Sequence, residues 1–284
     1  LKQWRNNNDK VLKPNQHVMF AQVYYQNKQF DDSIKHINTA VTMTEGKNEV
    51  PKEHWLILQR AAFYELKQPE NVTKVLEKLV KLYEKPQYWI QLAGMYGENG
   101  QEKKQLGAME TAWQAGYITK PGDIMMLAQL YLYQQLPFKA AKVLDDAIGH
   151  GKVVPQEKHY QLISQAYIQA REEQKAIPVL QKAAEIAEHG KFDAQLAQTY
   201  LNTEKWQLAI EHADKAISRG KLDNDGNMLL VLGMAHFNLM QFEQSLSAFE
   251  LAKDIKSTKK MAQQWSRYVA KEQSYQEKLA MLND

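Results

Sequence analysis

The chain of 284 residues reads as an all-α solenoid of about seven helix hairpins closed by a C-terminal helix. Three observations predict this. A leucine, a small residue and, three positions later, a ring recur along most of the chain. Their spacing stays near 35 residues. Gly, Pro and polar turn residues fall at intervals between the copies, not in one linker.

Aligned on the small residue, the copies fall at Ala21, Arg60, Ala93, Ala128, Ser164, Ala197 and Gly233, at intervals of 39, 33, 35, 36, 33 and 36. The ring is Tyr24, Phe63, Tyr96, Tyr131, Tyr167, Tyr200 or His236. Leu and ring lie four apart, on one helix face. The small residue between them lets a second helix approach. That helix has its own small column, nine positions after the ring: Ser33, Val72, Gln105, Ala140, Ala176, Ala209 and Ser245. In most copies a larger apolar residue follows four later, from Ile37 to Phe249. Turns such as GENGQ (97–101) and NTEKW (202–206) are short enough to make the two helices antiparallel neighbours. One hairpin cannot bury its face alone, so neighbours must stack.

This pattern resembles the tetratricopeptide repeat (TPR) over residues 14–256, in seven copies. Trp89, Leu92, Ala93 and Tyr96 carry the first-helix signature in full. Trp206 with Ala209, Phe30 with Ser33 and Phe242 with Ser245 carry the second. The resemblance implies a right-handed superhelix. There are departures. The second copy has Gln59 and Arg60 for leucine and small residue, Pro69 and Pro137 replace the aromatic that opens a second helix, and the third copy has Glu102 and Gln105. These copies are expected to pair their helices more loosely.

Residues 1–13 read as the end of a truncated preceding segment. Residues 257–284 read as a capping helix, with Met261, Trp265, Tyr268, Val269, Tyr275 and Leu279 at three-to-four spacing. Its lysines and Arg267 are expected on the solvated face. The Gly-Lys pairs after residues 45, 150, 189 and 219 read as helix ends, with glycine in the left-handed cap and lysine beside the negative end of the helix dipole. No GxxxxGK[ST] loop occurs.

Composition narrows the function. Net charge is +3, too small and too evenly spread to argue for a nucleic-acid or membrane surface. There is no cysteine, which excludes disulfides, thiol catalysis and cysteine-based zinc sites. No apolar run reaches the ~18 residues of a membrane span. The eight histidines are scattered without ligand spacing, and no nucleophile motif is present. We therefore expect no enzyme activity, no metal and no cofactor.

In TPR arrays the first helices line a concave groove. By that resemblance, the positions one and five after the small residue face it. They are Gln22, Ala61, Gly94, Gln129, Gln165, Gln198 and Met234, and Gln26, Glu65, Glu98, Tyr133, Gln169, Asn202 and Asn238. Eight of the fourteen are amides, where the chain's 30 Gln and 14 Asn predict about two. An amide both donates and accepts, so a ladder of them suits an extended peptide backbone. Tyr25, Tyr64, Leu132, Tyr133 and Phe237 add apolar contact. The alternative is that glutamine is simply a good uncharged residue for a helix surface.

The reading is a scaffold or adaptor for a protein or peptide partner. The segments YLYQQLPFKAAKVL (131–144), QAYIQAREEQKAIPVLQKAA (165–184) and LAQTYLNTEKWQLAIEHADKAI (196–217) are similar to periplasmic TPR proteins of Gram-negative bacteria that accompany TonB systems. That resemblance implies a periplasmic location and an accessory role with TonB, ExbB and ExbD in uptake of iron–siderophore complexes or other nutrients. Two other classes stay open. One is a regulatory arm of a larger enzyme or assembly factor. The other is a helical-repeat RNA binder, which the absence of Lys and Arg from the two columns disfavours. Oligomeric state is not legible.

Overall fold

The computed structural model describes residues 12–283, and these form fifteen α-helices with no strand among them. Of residues 1–13, read as the end of a preceding segment, 1–11 lie outside the described residues. The helices pair as α1 (Pro14–Gln26) with α2 (Phe30–Glu45), α3 (Glu53–Glu65) with α4 (Pro69–Tyr83), and α5 (Pro86–Glu98) with α6 (Glu102–Gln114). Then come α7 (Pro121–Tyr133), α8 (Pro137–Gly149), α9 (Glu157–Gln169), α10 (Glu173–Ile186), α11 (Lys191–Asn202), α12 (Trp206–Arg219), α13 (Asp225–Asn238) and α14 (Phe242–Lys253). The long α15 (Lys259–Asn283) closes the chain. The chain divides into two compact units, one ending at Leu130 and one beginning at Tyr131.

Each hairpin turn is built the same way. The second residue past the first helix has positive φ: Lys28, Lys67, Gly100, Gln135, Arg171, Glu204 and Met240. The next residue donates its backbone N–H to the carbonyl of the ring residue: Tyr24, Phe63, Tyr96, Tyr131, Tyr167, Tyr200 and His236, all at 2.8–3.0 Å. This 6→1 bond closes the helix end. Only one of the seven turns uses glycine at the left-handed position. The closing hydrogen bond offsets the small strain of a side chain there.

The expected glycine caps after the second helices hold only in part. Gly151 has φ +68°. Gly220 has positive φ but ψ −158°, outside the left-handed helical region. Gly46 is right-handed, and Asn48 takes the positive φ two residues later. Gly190 instead caps the start of α11, where its backbone meets that of α12. Its N–H donates to Gly220 O at 3.0 Å, and a Cβ there would lie 2.2 Å from Ala216 O. Gly190 is required by this close approach.

The small columns sit at the helix crossings. Ala21, Ala93, Ala128, Ser164, Ala197, Ala140, Ala176, Ala209 and Ser245 are fully buried. Ser33 and Ser245 donate to Ala21 O at 2.8 Å and Gly233 O at 2.7 Å, so each hydroxyl is satisfied across its hairpin. The third copy is not loose where expected, because Gly97 makes room for Gln105: a Cβ at 97 would lie 2.7 Å from Gln105 Nε2. Pro69 and Pro137 stand at the first position of α4 and α8, where a missing N–H loses nothing.

Ring hydroxyls tie neighbouring hairpins within a unit. Tyr96 donates to Glu77 at 2.8 Å and Tyr167 to Asp145 at 3.3 Å, while Tyr200 accepts from Gln181 at 3.1 Å. Burial and the carboxylate partner push the Tyr96 phenol up to about 12, and burial with Asp145 does the same for Tyr167. In α15 the buried stripe is Ala262, Ser266 and Val269, with Trp265 stacked on Phe249 at 5.8 Å. Met261, Tyr268 and Tyr275 from the expected stripe are exposed. Close packing of α15 selects the small residues at the crossing and leaves the larger ones at its flanks. Lys256, Lys259, Lys260, Arg267 and Lys271 are exposed, as expected.

Candidate functional site

In the C-terminal unit, α9, α11, α13 and the start of α15 line a half-open cavity of about 780 Å³. Gln161 and Gln165 reach it from α9, and Gln195 and Gln198 from α11. Leu230, Val231 and Met234 face it from α13, with Met228 on the same helix, Met261 on α15 and Phe192 on α11. Asn224 and Asn227 complete the polar lining.

The rim is held by a ladder one repeat in period. His189 Nε2 donates to Glu157 at 2.9 Å, Lys191 pairs with Asp223 at 2.7 Å, and Asn224 donates to Ser257 at 2.9 Å. The partners stand 32 or 33 residues apart, as equivalent positions on adjacent hairpins should. Behind the rim, Asp193 is 2% exposed. It meets His212 Nδ1 at 2.9 Å and Arg219 at 2.9 Å, and Arg219 also donates to Ala184 O at 2.6 Å. This cluster fixes the start of α11 against α10 and α12. At the start of α9, burial lowers the pKa of His159, and the neutral ring accepts from Gln156 N–H at 3.2 Å.

The N-terminal unit has a smaller pocket of about 310 Å³, lined by Tyr25 and Tyr64 with Arg60, Glu65, Gln91 and Glu98. Arg60 donates to Gln91, and its Nε is buried without a partner. Gln59 beside it is 8% exposed, donates to Asn38 at 2.7 Å and leaves Oε1 unpartnered.

Of the sequence-predicted groove residues, Gln165, Gln198 and Met234 meet in the larger cavity, and Tyr25, Tyr64, Ala61, Glu65, Gly94 and Glu98 in the smaller. Gln22, Gln26, Gln129, Tyr133, Gln169, Asn202 and Asn238 are exposed but lie outside the lining of both, and Leu132 is half-buried outside them. Asn202 and Asn238 are held on their own helices, by Gln198 at 2.9 Å and by Met234 O at 2.8 Å. Phe237 takes another place: it packs against Phe242, Trp265 and Tyr268 where α15 meets the last hairpin. Sequence reasoning missed Gln161, Gln195, Met228 and Met261, whereas Met234 stood in its first column. Gln161 was legible, since it lies four before Gln165 on the same face. Met261 was not, because α15 lies outside the repeat.

Residues 159–189 match the tetratricopeptide repeat family, a span of one hairpin of this chain. No curated protein matches the chain in sequence. Among solved structures, it is similar to that of Naa15/Naa10 bound to HypK-THB, at 10% identity and a TM-score of 0.62. That likeness covers 90% of this chain and 39% of the other, so this chain spans well under half the length of its relative. It is also similar to YrrB, a TPR protein with an unusual peptide-binding site, at 12% identity and a TM-score of 0.50, covering 69% of this chain and 99% of that one. At such identities the likeness shows the fold, an all-α stack of TPR-type hairpins. Among the described residues no helix is long and apolar enough to cross a membrane.

Proposed function

We propose that this chain is a non-catalytic interaction scaffold that holds an extended peptide in the groove of its C-terminal unit. The observation that carries the reading is the meeting of Gln161, Gln165, Gln195 and Gln198 in one cavity across adjacent first helices. A peptide unit offers one N–H donor and one carbonyl acceptor, and each amide opposite it can meet both, through its carbonyl and its NH₂. The peptide-binding site named for YrrB is consistent with this use of the fold.

The test is a peptide-display selection on the wild-type chain, followed by affinities for Gln165→Glu with Gln198→Glu. The double variant should bind the selected peptides at least about tenfold more weakly, because each carboxylate loses a donor and repels backbone carbonyls. Equal affinity would sink the groove assignment.

For the setting, we propose the periplasm and a TonB–ExbB–ExbD system as partner. Its support is the resemblance of residues 131–144, 165–184 and 196–217 to periplasmic TPR proteins. Reciprocal co-purification of the tagged chain with TonB or ExbD at native expression is the expected result, and its absence removes that partner.

A further inference from the structure

The two walls of the C-terminal groove differ in chemistry. The α9 and α11 side is glutamine: Gln161, Gln165, Gln195 and Gln198. Among them, Gln195 Oε1 is buried and has no hydrogen-bond partner. The α13 and α15 side carries Met228, Met234 and Met261. The charged residues of the lining are Glu157, His189, Lys191 and Asp223, and they are already paired with one another.

We infer that this groove selects an uncharged extended segment, with its backbone on the glutamine wall and one large apolar side chain on the methionine wall. The inference rests on the peptide-groove reading above and specifies what the groove takes. A buried acceptor without a donor is unfavourable, and the half-buried Gln195 side chain gains one by turning its Oε1 into the groove to meet a backbone N–H of the segment. Methionine is unbranched and polarisable, so three of them adapt to leucine or phenylalanine alike. A charged side chain there would lose water and gain no counter-ion, because the rim charges are already paired.

The probes are four peptides, acetyl-Gly-Ser-Ala-Ala-Xaa-Ala-Ala-Ser-Gly-amide, with Leu, Phe, Asp or Lys at Xaa. Binding is followed by NMR on methionine methyl and glutamine side-chain amide signals. The Leu and Phe peptides should shift the methyls of Met228, Met234 and Met261 and the amide of Gln195. They should bind at least about tenfold tighter than the Asp and Lys peptides, as burying a large apolar side chain requires. Their affinity should not fall with added salt. Met234→Gln should bring the Leu peptide down to the Asp level. Met261→Gln, at a residue 49% exposed, gives the same reading in a variant whose folding is not at risk. If all four peptides shift the glutamine signals with equal affinity, the side-chain selection is wrong and the groove reading stands. Tighter binding of Asp or Lys also overturns the selection. If no peptide moves either set of signals, both readings fail.

Discussion

The N-terminal and C-terminal units use the same hairpin and fill the same groove positions with different chemistry. Where the pocket of the C-terminal unit has Gln165 and Gln198, that of the N-terminal unit has Ala61 and Gly94. Its pocket is smaller, walled by Tyr25 and Tyr64 and edged by Glu65 and Glu98. Its joint is also less apolar. Gln59 and Arg60 stand where Leu196 and Ala197 are fully buried in the C-terminal unit, and each leaves one buried polar atom unpartnered. The repeat therefore tolerates polar residues at its crossing. The close approaches of backbone and side chain differ between the units.

Substitutions of two glycines should show that difference most strongly. Gly190→Ala drives a Cβ into the Ala216 backbone, which cannot move without moving α12. It should destabilise the C-terminal unit by about 3 kcal/mol. Gly97→Ala meets only the flexible end of Gln105, and the helix gains from losing a glycine. Its net effect should stay within about 0.5 kcal/mol of zero. Denaturant midpoints give the two values, and hydrogen exchange shows which unit loosens. Equal effects would mean that the two approaches are alike after all.

A smaller effect sharpens the contrast at the joint. Gln59→Leu restores the apolar crossing and removes a buried unpartnered carbonyl, while Asn38 is half-buried and can turn to water. The N-terminal unit should gain about 1 kcal/mol. A loss of stability in thermal or denaturant melts would show that the Gln59–Asn38 bond outweighs the orphaned atom.

Near neutral pH the smallest effect is that of one histidine. His159 in the C-terminal unit has its pKa lowered by burial, so the folded state disfavours the proton. Its stability is complete above the unfolded value near 6.5 and is lost as pH falls below it. His159→Gln should flatten that acid limb. In base, Tyr88 and Tyr96 of the N-terminal unit and Tyr167 of the C-terminal unit sit at about 12, raised first by burial. Their contribution is full below the unfolded value of about 10 and is lost as pH rises towards 12. Exchange rates measured across both limbs should show His159→Gln altering only the acid one.

Much of this was legible in the letters. Leu, small residue and ring gave seven hairpins because burial at a helix crossing demands those sizes at that spacing, and Ala93, Ala128 and Ala197 are indeed fully buried. The ring also marked the turn, since its carbonyl accepts the closing bond, although only Gly100 among the seven turns announced it with a glycine. Other features were hidden. Arg60 looked like a defect of the pattern, yet it lines a pocket, where its guanidinium donates to Gln91 of the next first helix. Phe237 looked like a groove residue and is a joint with Trp265, because a helix outside the repeat covers it.

The sequence by itself determined the repeat, its period and the helix faces that pack, because those follow from local periodicity and from which residues can be buried. It also placed the amides on the outward face of the first helices. Which of those amides share a cavity was decided only by tertiary structure. Gln165 and Gln198 meet, while Gln169 and Asn202, one turn further along the same helices, do not line that cavity. The reason is that a cavity is made by neighbours. Met261 from the closing helix, Gly190 at its close approach and the paired rim of Glu157, His189, Lys191 and Asp223 come together only when separate hairpins stack, and no single repeat encodes that meeting.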